Sequence, residues 1–221
     1  MLVKFCGATT EGEVAGMAAA GADLIGLWHG VRGGSSDLSP GLLATLSAAA
    51  LNAGPDPVLV TFSSDAGALA EAAAASGARW VQLHGFQPPG LVRALRRQSP
   101  GGLKIAKVLH LQGGSCLEDR LTGAYERAGA DCFLFDAVGD DGRIGSTAQP
   151  LNDAAVTALA DRINLPFLLA GGLHDGNSDD FAGARAHPRF LGIDVDSAAR
   201  GDDGLLKAER AAAVARAWRS A

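Results

Sequence analysis

The chain has 221 residues, 48% of them apolar, and a formal net charge of −5. That length suits one domain and that apolar share fills a core, so wholesale disorder is excluded. Lys and Arg are scattered rather than gathered into a basic stripe, which argues against a nucleic-acid partner, and no apolar run is long enough to cross a bilayer.

Met1 leads straight into Leu2, Val3, Lys4, Phe5 and Cys6, a first strand, with no charged leader and apolar h-region of the secretory kind. Further short apolar runs predict strands over residues 24–27, 58–62, 80–83, 103–109, 132–135, 166–169 and 190–195. Continuous apolar runs of this length are expected of parallel strands covered on both faces. Helix-length stretches fall between and after them, over residues 11–20, 40–50, 66–76, 88–98, 116–128, 152–161, 177–186 and 205–220. Ser39 before Pro40, and Asp65 before Ala66, read as helix N-caps.

One phrase recurs. Gly21-Ala22-Asp23-Leu24-Ile25-Gly26-Leu27 is echoed by the segments that begin Gly77-Ala78-Arg79 and Gly129-Ala130-Asp131. Each follows an Ala-rich amphipathic segment, so the Gly closes a helix and a buried strand follows. Eight strands alternating with eight helices predict either a barrel or a doubly wound sheet. No Gly-x-Gly-x-x-Gly follows the first strand, which favours a single α/β domain over residues 1–221, a (βα)8 TIM barrel. The Gly- and Ser-rich residues 30–36 read as the loop after the second strand, and residues 139–148 as the loop after the sixth.

In such a barrel the working groups lie at the C-terminal ends of strands. Cys6 ends the first, His84 the fourth and Asp136 the sixth, and His110 follows the fifth; Gly171 and Gly172 end the seventh, and Asp194, Asp196 and Ser197 the eighth. Each has a plainer reading. A free cysteine is often a small core hydrophobe, Asp136 could cap its own loop, His84 could only orient loops, and the Gly pair could be a tight turn. Cys116, at a predicted helix start, and Cys132, within a strand, read as structural. Three cysteines without paired spacing disfavour a disulfide scaffold or zinc site and suit a reducing cytoplasm, and the five histidines show no metal-ligand spacing.

These residues resemble a family. Lys4-Phe5-Cys6-Gly7-Ala8-Thr9 is similar to the Lys-x-Cys-Gly-x-Thr opening of phosphoribosylanthranilate isomerases, and Val81-Gln82-Leu83-His84-Gly85 matches their fourth strand. Ile105-Ala106-Lys107-Val108, Leu134-Phe135-Asp136-Ala137, the run from Phe167 to Leu173, and Gly192-Ile193-Asp194-Val195 resemble the later strands in order. The resemblance implies a cofactor-independent Amadori rearrangement of a phosphoribosyl aminoaldose. Asp136 would act as general acid on the ribose ring oxygen, and Cys6 as general base on C2, with a thiol pKa depressed by a cation such as Lys4 or by helix dipoles. It further implies a small-molecule substrate, a monomer or homodimer, substrate-binding candidates Lys4, Arg32, Ser36, Gln82, His84, His110 and Asp194, and phosphate-site candidates Gly145, Gly171, Gly172, Asp196 and Ser197.

The chain departs from the family's pattern in its substrate-holding parts. Ser36 stands where the family carries an Arg for the anthranilate carboxylate, with Arg32 nearby; residues 145–149 replace Gly-Gly-Thr-Gly-Lys; Asp196-Ser197-Ala198 replaces Ser-Ser-Gly; Trp28-His29 replaces an aromatic pair; and His110 replaces an Arg. A carboxylate at Asp196 is expected to repel a phosphate. Three readings follow: the ordinary isomerase, a paralogue using the same acid–base pair on another and perhaps unphosphorylated substrate, and a non-catalytic barrel that binds a ligand.

Overall fold

A computed structural model describes residues 1–31, 34, 36–99, 101–139 and 151–220. Among them, eight strands alternate with eight helices. In chain order these are β1 (Leu2–Cys6), α1 (Glu11–Ala19), β2 (Leu24–Trp28), α2 (Pro40–Ala53), β3 (Asp56–Thr61), α3 (Ala66–Ser76), β4 (Trp80–Leu83) and α4 (Pro89–Gln98). Then come β5 (Lys104–Gln112), α5 (Thr122–Ala128), β6 (Cys132–Ala137), α6 (Asp153–Ala160), β7 (Phe167–Leu169), α7 (Ala182–Ala186), β8 (Phe190–Val195) and α8 (Ala208–Ser220). Each strand pairs in parallel with the next, and β1 pairs with β8, so the sheet closes into the expected (βα)8 barrel.

Alternation along each strand divides the apolar side chains between two cores. Cys6, Leu24, Val58, Val60, Trp80, Ala106, Val108, Cys132, Leu134, Leu168 and Ala170 form an inner cluster. Their neighbours Phe5, Ile25, Leu59, Val81, Ile105, Phe133, Phe167 and Ile193 join the helices in a larger outer one. Burial on both faces is why the strands read as unbroken apolar runs.

The helix starts are set by short polar side chains. Ser39 accepts from the Leu42 amide, Asp65 from the Gly67 and Ala68 amides, and Asn152 from the Ala155 amide. Gly77 and Gly129 close α3 and α5 in left-handed conformation, as the repeated phrase implies.

The expected helix over residues 116–128 is a correction. Gly113 and Gly114 both adopt positive φ and fold the chain back, so that Ser115 and Cys116 pair antiparallel with Gln112 and Leu111. A 3-10 turn over Asp119–Leu121 follows, and α5 begins only at Thr122. Cys116 therefore lies on a hairpin arm, and Glu118 is brought over His110. Residues 177–186 likewise form a 3-10 turn, Asp179–Phe181, before the short α7. No helix among the described residues is long and apolar enough to cross a membrane.

Candidate active site

The inward face of β1 carries Lys4 and Cys6. The Lys4 ammonium donates to Asp194 Oδ1 across the β1–β8 seam at 2.8 Å, and both side chains are almost fully buried, at 1% and 7% exposure. The space beside them is supplied by Gly26 on β2: a Cβ there would lie 2.5 Å from Cys6 Sγ and 2.9 Å from Lys4 Nζ. Trp28, two residues on, donates its indole N–H to Cys6 Sγ at 3.1 Å. Burial pushes the Cys6 thiol up to about 11, against the pull of Lys4 and the Trp28 bond, with Asp194 and Asp196 adding to the rise. This corrects the expectation of a depressed thiol, because loss of solvation outweighs the single cation. Burial acts to lower Lys4, but Asp194 and Cys6 hold it above the ordinary lysine range.

Across the barrel mouth, Asp136 ends the inward row of β6. Its Oδ1 accepts from the Ala137 amide at 2.9 Å, and its Oδ2 lies 3.5 Å from His84 Nε2. The Gln82 amide nitrogen donates to His84 Nδ1 at 3.0 Å, while the buried His84 Nε2 makes no hydrogen bond among the described residues. Trp28 and Phe62 pack around His84 with ring centroids at 6.3 and 5.2 Å. Behind it stands His110, whose two ring nitrogens face Glu118 Oε1 at 2.6 Å and the His84 carbonyl at 3.0 Å.

Lys107, pointing outward from β5, is fully buried. It donates to the Gly85 carbonyl at 2.9 Å and stands 3.5 Å from Glu118. Burial lowers its pKa to about 8 despite the raising pull of Glu118.

Cys6, Trp28, His84 and Asp136 open on one cleft with Gly171, Gly172, Asp194, Asp196 and Ser197. The cleft holds about 490 Å3 of space, part of it open to solvent. Asp196 does not stand as a bare carboxylate: the Arg200 guanidinium donates to its Oδ1 at 2.6 Å and to Glu13 Oε1 at 3.1 Å. Arg200 also binds the carbonyls of Cys6 and Gly7, at 3.1 and 2.7 Å. The Arg200 cation, shared between Asp196 and Glu13, weakens the expected repulsion of a phosphate without cancelling it.

Of the substrate-binding candidates, His84 and Asp194 reach the cleft. Lys4, Gln82 and His110 lie beneath or behind its wall, and Ser36 is not among its lining residues. Arg32 and Gly145 lie outside the described residues. Sequence reasoning missed Arg200 and Glu118 entirely, although the four-residue spacing of Asp196 and Arg200 was an available signal. Among the described residues, no group of three His, Cys, Asp or Glu side chains could hold a metal ion.

A family model described as N-(5'-phosphoribosyl)anthranilate (PRA) isomerase matches residues 3–213. The N-(5'-phosphoribosyl)anthranilate isomerase of Azorhizobium caulinodans is 32% identical, over 99% of this chain and 92% of that protein. The phosphoribosyl anthranilate isomerase structure from Thermus thermophilus superposes with a TM-score of 0.80 at 21% identity, covering 100% of this chain and 99% of that one. A phosphoribosyl anthranilate isomerase solved with reduced 1-(o-carboxyphenylamino)-1-deoxyribulose 5-phosphate gives 0.75 at 19% identity, with both chains fully covered. With a family match over nearly its whole length and a full-length relative at that identity, the chain belongs to the N-(5'-phosphoribosyl)anthranilate isomerase family of enzymes.

Proposed function

We propose that this chain, acting as one barrel domain without a cofactor, converts N-(5'-phosphoribosyl)anthranilate to its aminoketose by an Amadori rearrangement. The observation that carries the reading is that Cys6 and Asp136 open on the same cleft, which Gly171, Gly172 and Ser197 also line. Asp136, as carboxylic acid, gives its proton to the ribose ring oxygen; the ring C–O bond breaks and a Schiff base forms at C1. Cys6, as thiolate, then takes the proton from C2, and the electron pair of that bond moves toward the iminium nitrogen to leave an enolamine. Tautomerisation of the enolamine gives the ketone. Acid and base are needed together, because C2 is acidic only while the iminium exists.

His84 stands beside Asp136, and Gln82 holds His84 by its Nδ1. The glycine turns and Ser197 offer backbone and hydroxyl donors to the substrate phosphate, as loops after the last two strands of such barrels do. The three free cysteines fit a reducing compartment.

Asp196 on the cleft wall favours a second reading, in which the same pair serves a less anionic substrate. Turnover of freshly made phosphoribosylanthranilate, followed by loss of its fluorescence, separates the two. Turnover abolished by Cys6→Ser and by Asp136→Asn is expected; a folded protein that gives none would leave the second reading in possession.

A further inference from the structure

Before Cys6 can take the C2 proton, its own S–H proton must pass to solvent, so the reactive base is a thiolate formed inside a nearly closed barrel. The charged groups around that sulfur offer it little net help. Lys4, on its own strand, is already paired with Asp194. Asp194 from β8 and Asp196 just after it oppose the anion. His84 from β4 and Asp136 from β6 line the same cleft and face one another.

Trp28 is different. It is a neutral donor with its N–H aimed at Sγ at 3.1 Å. The indole is fixed by an edge contact to Phe62, with centroids at 6.4 Å and planes at 61°, and by packing on His84. A donor held in place before charge develops needs no reorganisation when it does. We propose that Trp28 is a further catalytic residue, its indole N–H stabilising the Cys6 thiolate so that a larger share of the sulfur is ionised and ready to take the C2 proton. The proposal rests on the reading of Cys6 as the base. A phenylalanine would keep an aromatic face toward Phe62 and His84 and leave the sulfur without this donor.

Trp28→Phe keeps an aromatic ring at this position and removes the N–H together with the smaller ring of the indole. The ionisation of Cys6 is followed by its alkylation with iodoacetamide against pH, quantified on the Cys6 peptide so that Cys116 and Cys132 do not contribute. In Trp28→Phe the rise in rate shifts to higher pH by roughly one unit, and kcat falls by up to roughly tenfold with little change in KM. An unshifted alkylation profile with unchanged kcat in a folded Trp28→Phe protein overturns the proposal while leaving Cys6 assigned. Full activity of Cys6→Ser instead overturns the base assignment itself. Should Trp28→Phe not fold, the bond is read in the unsubstituted protein by the Raman band of the indole N–H. A shift of that band on Cys6→Ala is expected, and its absence overturns the proposal.

Discussion

The Lys4–Asp194 pair gives the sharpest energetic test. At 2.8 Å, and with almost no exposure on either side, the two charges attract by about 6 kcal/mol at an effective dielectric of about 20, before the loss of their hydration is counted. Removing one partner strands the other inside the barrel, so Lys4→Met and Asp194→Asn should each lower unfolding stability by about 3–5 kcal/mol. The double variant strands neither charge. Its loss should be close to that of one single variant, giving a coupling of about 3 kcal/mol or more. Urea unfolding at pH 7, with m-values checked for constancy, supplies all four corners of the cycle. Additive single losses, with a coupling below about 0.5 kcal/mol, would refute the view that the pair acts as a unit.

Three further outcomes follow from the same geometry. Gly26→Ala drives a methyl to 2.5 Å from Cys6 Sγ, so stability should fall by about 1–3 kcal/mol and kcat by roughly a hundredfold; a wild-type kcat would show that the sulfur's position is not critical. Arg200→Met leaves Asp196 without this cation beside the cleft, and the inhibition constant of inorganic phosphate should rise roughly tenfold, with an unchanged constant counting against a phosphate site there. Lys107 has a folded pKa of about 8, below its unfolded value of 10.5, so between those values the unfolded chain binds more protons and this group adds stability as pH rises. The stability difference between the unsubstituted protein and Lys107→Met should therefore climb across that window, with the other titrating groups cancelling; a flat difference would contradict the buried assignment.

Much of the frame was legible in the sequence. The bounds of β1, α3 and β8 agree with the reading from apolar runs and the Asp65 cap, because those elements begin and end on strong local signals. The segment after β5 was not legible: an apolar and charged mixture over residues 116–128 suits a helix, and only the Gly113–Gly114 turn diverts it into a hairpin. Cys6 and Asp136 were legible as strand ends. What they touch was not, because strands buried on both faces give no alternation to show which residues point inward. Lys4, Gln82 and Trp28 therefore owe their place to the register of neighbouring strands. Arg200 lies beyond any motif, and its importance comes from converging carbonyls and carboxylates contributed by distant parts of the chain.

The Lys4–Asp194 contact joins positions 190 residues apart, at the seam where the barrel closes. While the chain is being synthesised, β1 already has β2 as a neighbour, yet its other edge stays open until the eighth strand emerges. That open edge carries a lysine at its centre, and the last strand to arrive carries an aspartate. Two half-made copies meeting through the centres of their β1 edges would bring lysine against lysine; closure of a chain on itself, or an exchange of its last strand with a second copy, brings unlike charges together. The same two residues that brace the finished site thus meet only once the first strand and the last have found each other.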